Sequence, residues 1–319
     1  MPAPTLEVLL RGITYEAEGV NAYILEPVGG GALPPFTAGA HVDLHLPNGI
    51  TRSYSLLNDP AERGRYVIGV HHAPESRGGS RYVHEALRVG ARLTIGPPRN
   101  NFPLNEDAPH SVLIAGGIGV TPLLSMATRL ESLGRSWELH YACRTRARAA
   151  FLERLAALDA GRGRLHLTFD DEEGGRMLDL AALLASARPD AHLYCCGPLP
   201  MLDAFERAAQ RRPAAQVHLE YFVPKSEAAV EGGYEVVLRR SGKVVPVGPG
   251  QTMLAALLNA GASVNFSCSE GVCGTCETRV LAGLPDHRDA FLTDEEKAAN
   301  GTVMPCCSGS LSPRLELDL

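Results

Sequence analysis

The chain has 319 residues, of which 45% are hydrophobic and 21% charged, with a formal net charge of −6. That length suits two or three domains, that composition a globular protein, and the negative balance argues against nucleic acid as the main partner. No apolar run approaches the roughly 18 residues of a membrane span, and "MPAPTLEVLLRG" lacks a basic segment leading into a long apolar one, so no signal peptide is expected.

The first hundred residues read as β structure. "EVLLRGITYEA", "VNAYILEP", "HVDLHLP", "TRSYSLLN", "RYVIGVHH" and "ARLTIGPP" are short, partly alternating runs. Gly, Pro and Asn clusters separate them, which predicts a small barrel or sandwich. "RYVHEALRV" is the helical candidate here. Within "TRSYSLLN" the guanidinium of Arg52, the ring of Tyr54 and the hydroxyl of Ser55 suit a flavin seat. Arg52 would neutralise a phosphate, Tyr54 would pack beside the flavin, and Ser55 would hydrogen-bond its redox-active N5 edge. A half-exposed strand of ordinary composition explains the same residues. "SRGGSRYVH", from Ser76 to His84, offers a second phosphate cradle or a plain turn.

The pattern changes near residue 109. "HSVLIAGG" is a nearly all-apolar run ending in glycines, as a buried parallel strand requires. Strands "SWELHYACR", "RLHLTFDD" and "AHLYCCGP" then alternate with helices, which predicts a doubly wound α/β sheet binding ligands at its carboxyl end. "IAGGIGVTPLLSM" joins the first strand to its helix. Gly116, Gly117 and Gly119 would let a phosphate or flat ring approach the backbone, although the turn is not a literal G-x-G-x-x-G and could be a tight turn only. Thr121 and Pro122 suit the helix cap and first turn. "YCCGPLPM" repeats the arrangement, with Cys196 and Gly197 at the same crevice and Cys195 a small core residue. Arg144, Arg146 and Arg148 would hold a 2′-phosphate, whereas Asp170 and Asp171 would repel one.

"VHLEYF" closes this part and "VPKSEAAVEGG" reads as a linker. From Lys225 onward, 8 Lys/Arg face 12 Asp/Glu, so the last third is the acidic part. It reads as α+β: a hairpin over "YEVVLRRSGKVVPV", a helix over "TMLAALLNAG", and a terminal strand over "PRLELDL". Between the last two stands "CSEGVCGTC". Its C-x4-C-x2-C spacing with a distant fourth cysteine is that of plant-type [2Fe–2S] ligands. A zinc site would favour C-x2-C pairs, and only Cys273 and Cys276 make one here. Gly271 and Gly274 fall where a chain bending round a cluster needs relaxed backbone angles. If "VMPCCSG" is extended, only one of Cys306 and Cys307 can face the cluster. The histidines show no metal-binding spacing, and no G-x-S-x-G supports a hydrolase.

A nicotinamide donates a hydride, a [2Fe–2S] cluster takes single electrons, and a flavin handles both, so the three parts form a coherent electron path. "RSYSL", "SRGGS", "AGGIGVTPLLSM", "CGP", "CSEGVCGTC", "DHRD" and the terminal "LELDL" together resemble the phthalate dioxygenase reductase family over essentially the whole chain. The resemblance extends in detail to the reductase components of vanillate O-demethylase-type systems. It implies a multidomain fold: an antiparallel β-barrel flavin domain over 1–104, a doubly wound α/β nucleotide domain over 105–224, and a β-grasp ferredoxin domain over 225–319. It implies FMN, NADH and a [2Fe–2S] cluster as cofactors, and a separate Rieske-type oxygenase as partner of this cytoplasmic, monomeric enzyme. It places Arg52, Tyr54, Ser55, Val70, His72, Gly79, Ser80 and Phe222 at the FMN. Gly116, Gly117, Gly119, Thr121, Cys196 and Gly197 shape the nicotinamide crevice, and Ser55, Thr121 and Cys196 are its catalytic candidates. Of the gaps from Cys276, 29 residues to Cys306 and 30 to Cys307, the plant-type ferredoxin pattern has the shorter. The implied ligands are Cys268, Cys273, Cys276 and Cys306. A partnerless NADH oxidase or acceptor reductase, and a flavin-free iron–sulfur sensor, are the rival readings.

Overall fold

The computed structural model describes residues 5–73, 78–172 and 174–319. They form two compact units, Met1–Glu220 and Tyr221–Leu319.

The first unit opens with β1 (Leu6–Ala17), β2 (Val20–Pro27), β3 (His41–His45), β4 (Thr51–Ser55) and β5 (Tyr66–His71), then α1 (Gly79–Glu85) and β6 (Arg92–Ile95). These strands make a six-stranded antiparallel sheet in the order β4-β3-β6-β1-β2-β5. The bridge Leu56↔Ile68 joins its two edges. Closure removes the exposed edges that an open sheet would carry. Inside lie Val8, Leu10, Leu25, Leu44, Ile68 and their neighbours, supplied by alternate strand positions.

The same unit continues with β7 (Ser111–Gly116), α2 (Val120–Ser132), β8 (Trp137–Cys143), α3 (Leu152–Asp159), β9 (Leu165–Phe169), α4 (Leu180–Ser186), β10 (His192–Cys196), α5 (Leu199–Ala209) and β11 (Val217–Glu220). The strands form a parallel sheet in the order β11-β10-β7-β8-β9. Every residue of β7 is buried, as its unbroken apolar run requires. Chain order reverses direction between β7 and β10, so their carboxyl ends flank the topological switch point where such sheets bind ligands.

The second unit holds β12 (Tyr234–Leu238), β13 (Lys243–Val247), α6 (Met253–Asn259), β14 (Thr278–Ala282), β15 (Pro285–Asp286), α7 (Asp294–Ala299), β16 (Thr302–Val303), β17 (Gly309–Ser310) and β18 (Arg314–Leu317). Its sheet runs β13-β12-β18-β14-β16, with β18 parallel to β12 at the centre. This is the β-grasp arrangement. The segment expected as a linker is irregular but anchored here: Ala229 N donates to Cys307 O (2.7 Å) and Ser226 Oγ to Arg288 O (2.7 Å). Sequence periodicity misses α7, whose six residues are too few to show it. A capping box of Thr293 and Glu296 starts this helix instead. No described helix is long and apolar enough to cross a membrane.

Candidate functional site

Several of the stretches expected at a flavin, those of Arg52, Val70, Gly79 and Ser80, come together in the barrel. A Cβ built on Gly79 would fall 2.7 Å from Arg52 Cγ, so α1 starts directly against the Arg52 side chain. Ala73 N donates to Ser80 Oγ (3.3 Å), and His84 Nε2 lies 2.9 Å from Val70 O. The stretches around β4, the end of β5 and the start of α1 therefore meet. His72 follows β5, with its amide donating to Gly19 O (2.7 Å) and its Nε2 3.8 Å from Glu85 Oε1. Ser76 and Arg77 lie outside the described residues. Alternation puts Arg52 and Tyr54 on one face of β4 and Ser55 on the other, so the strand end, not one face, must serve all three.

Ser55 is 5% exposed, and its Oγ has no hydrogen-bond partner among the described residues. A buried hydroxyl left unpaired costs about 1–3 kcal/mol. The edge of a flavin ring, with donor and acceptor atoms, would satisfy it, and the Arg52–Gly79 contact leaves a guanidinium beside a glycine turn. The residues present fit FMN.

Packing links this seat to the α/β sheet. In the register of the Leu56↔Ile68 bridge, Ser55 falls opposite Gly69. A Cβ on Gly69 would lie 2.8 Å from Thr121 Cγ2, and one on Gly119 would lie 2.1 Å from Cys196 O. Ser55, Thr121 and Cys196, on three separate elements, are thus strung along one line of contacts at the switch point. The glycines divide their roles. Gly116, Gly119 and Gly197 are needed because the turns after β7 and β10 pack on each other: a Cβ on Gly116 would meet Pro198 Cδ at 2.6 Å. Gly117, with φ of +52°, alone faces open space. Thr121 does not cap α2, because a 3-10 turn over Gly117–Gly119 moves the cap to Gly119; its hydroxyl donates to Ile118 O at 3.0 Å.

Cys195 and Cys196 are both fully buried, and burial first, then Glu220, pushes the Cys196 thiol well up. Glu220 is a residue that sequence reasoning missed. It pairs with Cys196 in register, its Oε2 is buried with no hydrogen-bond partner among the described residues, and burial pushes its carboxyl up to about 8. A lone Glu at a strand end carries no local signal. β11 ends at Glu220, and Phe222 stands half-buried two residues beyond it, in the second unit. Of the arginines near β8, Arg146 stacks on Phe169 (4.9 Å) and Arg148 pairs with Glu18 (3.6 Å).

In the second unit the cysteine loop closes on itself. Cys268, Cys273, Cys276 and Cys306 are 3–7% exposed. Their thiols lie in two hydrogen-bonded pairs, Cys268 with Cys273 and Cys276 with Cys306. The first pair's shared hydrogen bond pulls the Cys273 thiol down to about 5. Four buried sulfurs gathered as two pairs are the donor set that a two-iron cluster takes. Gly271 and Gly274 have φ of +72° and +70°. Added Cβ atoms would meet Cys307 Sγ at 2.5 Å and the Phe291 ring at 2.4 Å, so the loop needs glycine for room as well as for φ.

The expectation of an extended "VMPCCSG" fails. Pro305–Cys307 form a turn in which Cys307 N and Ser308 N both donate to Met304 O (3.2 and 2.9 Å). Alternation does not apply, and Cys307 is buried as fully as Cys306. Their neighbours differ in part: the Cys307 thiol lies 3.8 Å from both Met304 O and Ser308 Oγ, while the Cys306 thiol bonds that of Cys276 as well as that of Cys307. The "DHRD" stretch, named above only as part of the family resemblance, is a brace. Asp289 is 2% exposed, its Oδ2 accepts from Leu292 N (2.7 Å) and Phe291 N (3.2 Å), and Ala290 N donates to Gly271 O (3.0 Å).

Two family models match: the 2Fe-2S iron-sulfur cluster binding domain over residues 236–309 and the oxidoreductase NAD-binding domain over residues 113–207. A solved structure of phthalate dioxygenase reductase, described as modular for electron transfer from pyridine nucleotides to [2Fe-2S], superposes with a TM-score of 0.77. It is 36% identical and covers 99% of this chain and 98% of its own. The chain belongs to the phthalate dioxygenase reductase family. Other members include the phenoxybenzoate dioxygenase subunit beta of Ectopseudomonas oleovorans, 56% identical over 97% of this chain and 96% of that one. The tetrachlorobenzoquinone reductase of Sphingobium chlorophenolicum is 53% identical over 100% and 99%. The vanillate O-demethylase oxidoreductase of a Pseudomonas species, at 45% over 98% and 100%, bears out the vanillate-type likeness. As a phthalate dioxygenase reductase relative the chain is an oxidoreductase, and the barrel, parallel sheet and β-grasp unit are the family's three parts.

Proposed function

We propose that this protein is the NADH-dependent reductase component of a two-component oxygenase system, passing electrons through FMN and a [2Fe–2S] cluster to a separate Rieske-type oxygenase. The observation that carries the reading is the presence in one chain of a buried Ser55 hydroxyl without a partner among the described residues, a glycine-lined switch point, and four paired thiols. Bound FMN supplies the conversion of a two-electron hydride into single electrons. Arg52 and Gly79 would hold its phosphate end, Tyr54 would pack beside it, and Ser55 would orient its N5 edge. Thr121, Gly117 and Cys196 would seat the nicotinamide against that edge and exclude water from it. Glu220 would hold a proton beside the Cys196 thiol. Cys268 and Cys273 would hold one iron of the cluster, and Cys276 and Cys306 the other.

NADH is favoured over NADPH because Arg146 and Arg148 are already engaged by Phe169 and Glu18 while Asp170 and Asp171 follow the next strand. The oxygenase should meet the acidic last third with basic groups. We place the enzyme in the cytoplasm as a monomer. The test is reconstitution: NADH oxidation by the holoprotein is stimulated by a Rieske oxygenase, and the stimulation falls as salt rises. Stimulation by quinones alone, with no response to any Rieske protein, would favour the second reading, a direct quinone reductase. The 53% identity to tetrachlorobenzoquinone reductase is what supports that second reading.

A further inference from the structure

The histidines that form no motif in sequence form one across the sheet. Trp137 Nε1 donates to Glu131 of α2 (3.1 Å), so Trp137, Leu139 and Tyr141 face that helix. Glu138 and His140 then point to the opposite face of β8. His140 is the register partner of His166 on β9, the sheet's edge strand, and their rings stack at 4.5 Å and 18°. Glu138 Oε1 lies 3.7 Å from His140 Nε2, and Oε2 lies 3.9 Å from His166 Nε2. One atom from each residue lies within 4.8 Å of the other two.

These separations are too long for hydrogen bonds. His140 Nε2 is buried and has no hydrogen-bond partner among the described residues. A tetrahedral ion with bonds of about 2.0–2.1 Å wants its donors about 3.4 Å apart, so small side-chain rotations would bring all three onto one ion. Two imidazoles and a carboxylate are ligands suited to zinc and its neighbours. His110 supplies the outer support that such sites need: its Nδ1 lies 2.8 Å from Ser136 Oγ and its Nε2 3.7 Å from Glu138 Oε1, aiming the carboxylate. The three donors sit on strands near the amino ends of β8 and β9, away from the crevice at their carboxyl ends.

We propose that Glu138, His140 and His166 bind one divalent transition-metal ion of the zinc class, with a solvent-filled fourth position, stapling edge strand β9 to β8. The test titrates Zn2+ into chelator-treated holoprotein with flavin and cluster in place, counts zinc retained after desalting, and follows the melting temperature. Wild type should retain one zinc per chain and melt higher with zinc. His166→Asn, at a nearly half-exposed side chain, should fold normally and lose the zinc-dependent rise, and Glu138→Gln should bind at least about tenfold more weakly. His110→Ala, a positioning change, should weaken binding by about tenfold while keeping the stoichiometry. No zinc retained by wild type, or zinc retained at the wild-type level by His166→Asn and by the Glu138→Gln, His140→Asn double variant, would overturn the proposal.

Discussion

At the scale of single residues, Cys306 and Cys307 are neighbours of nearly equal burial and chemistry whose thiols touch, and only that of Cys306 pairs with Cys276. Cys306→Ser should abolish or severely perturb the cluster's visible absorption while NADH-to-flavin reduction survives. Cys307→Ser should leave that absorption near wild type, because it is the Cys306 thiol, and not that of Cys307, that pairs with Cys276. The reverse pattern in the two spectra would shift the ligand register by one. Arg52→Ala removes charge-assisted hydrogen bonds to a phosphate, each worth about 1.5–3 kcal/mol. FMN should then dissociate at least about tenfold more readily, measured by fluorescence on dilution, with iron content unchanged. Glu220 carries the pH prediction. Its carboxyl is raised from 4.5 to about 8 by burial, so the folded chain keeps a proton that the unfolded chain releases. Stability from this group is present below about pH 4.5 and is lost as pH rises through 8. Glu220→Gln should remove that slope, at most about 1.4 kcal/mol per pH unit. Melting curves from pH 5 to 9 should therefore show the variant gaining on wild type toward alkaline pH.

At the scale of elements, the two glycine turns act as one joint. Gly119→Ala would drive a methyl group into Cys196 O, 2.1 Å away, and so part the ends of β7 and β10. Overpacking of this kind costs about 1–3 kcal/mol. The expected result is a large rise in KM for NADH with FMN retained. Gly117→Ala meets open space and suffers only the left-handed backbone penalty of about 1–2 kcal/mol, so its KM should move much less. Steady-state kinetics on the two variants separate packing from ligand approach. The sequence offered three glycines as one cradle, and it could not have divided them. Which glycine faces a neighbour depends on the β10 turn, some 80 residues away in the chain. The strand-to-helix turns themselves were legible, because a wholly apolar run followed by glycine and an amphipathic stretch has few other solutions.

At the scale of the whole molecule, the chain divides after Glu220 into a nucleotide- and flavin-type unit and a ferredoxin-type unit. A shortened chain ending at Pro224 should bind FMN and reduce ferricyanide with NADH, yet pass no electrons to a Rieske oxygenase. Full coupling by that fragment, measured as oxygenase turnover, would remove the ferredoxin unit from the path. The sequence by itself determined the order of the parts and the cluster's cysteine loop. Both are written in local spacing: strand and helix periods repeat within a few residues, and three cluster ligands lie within nine. Tertiary structure decided what depends on distant chain segments meeting. It closed the barrel through Leu56 and Ile68, buried Asp289 as a brace under Gly271, and turned Cys307 inward beside Cys306. It also brought Glu138 and His140 to His166 across adjacent strands. A one-dimensional pattern records which residues share a face of one element, but not which face of another element they will meet.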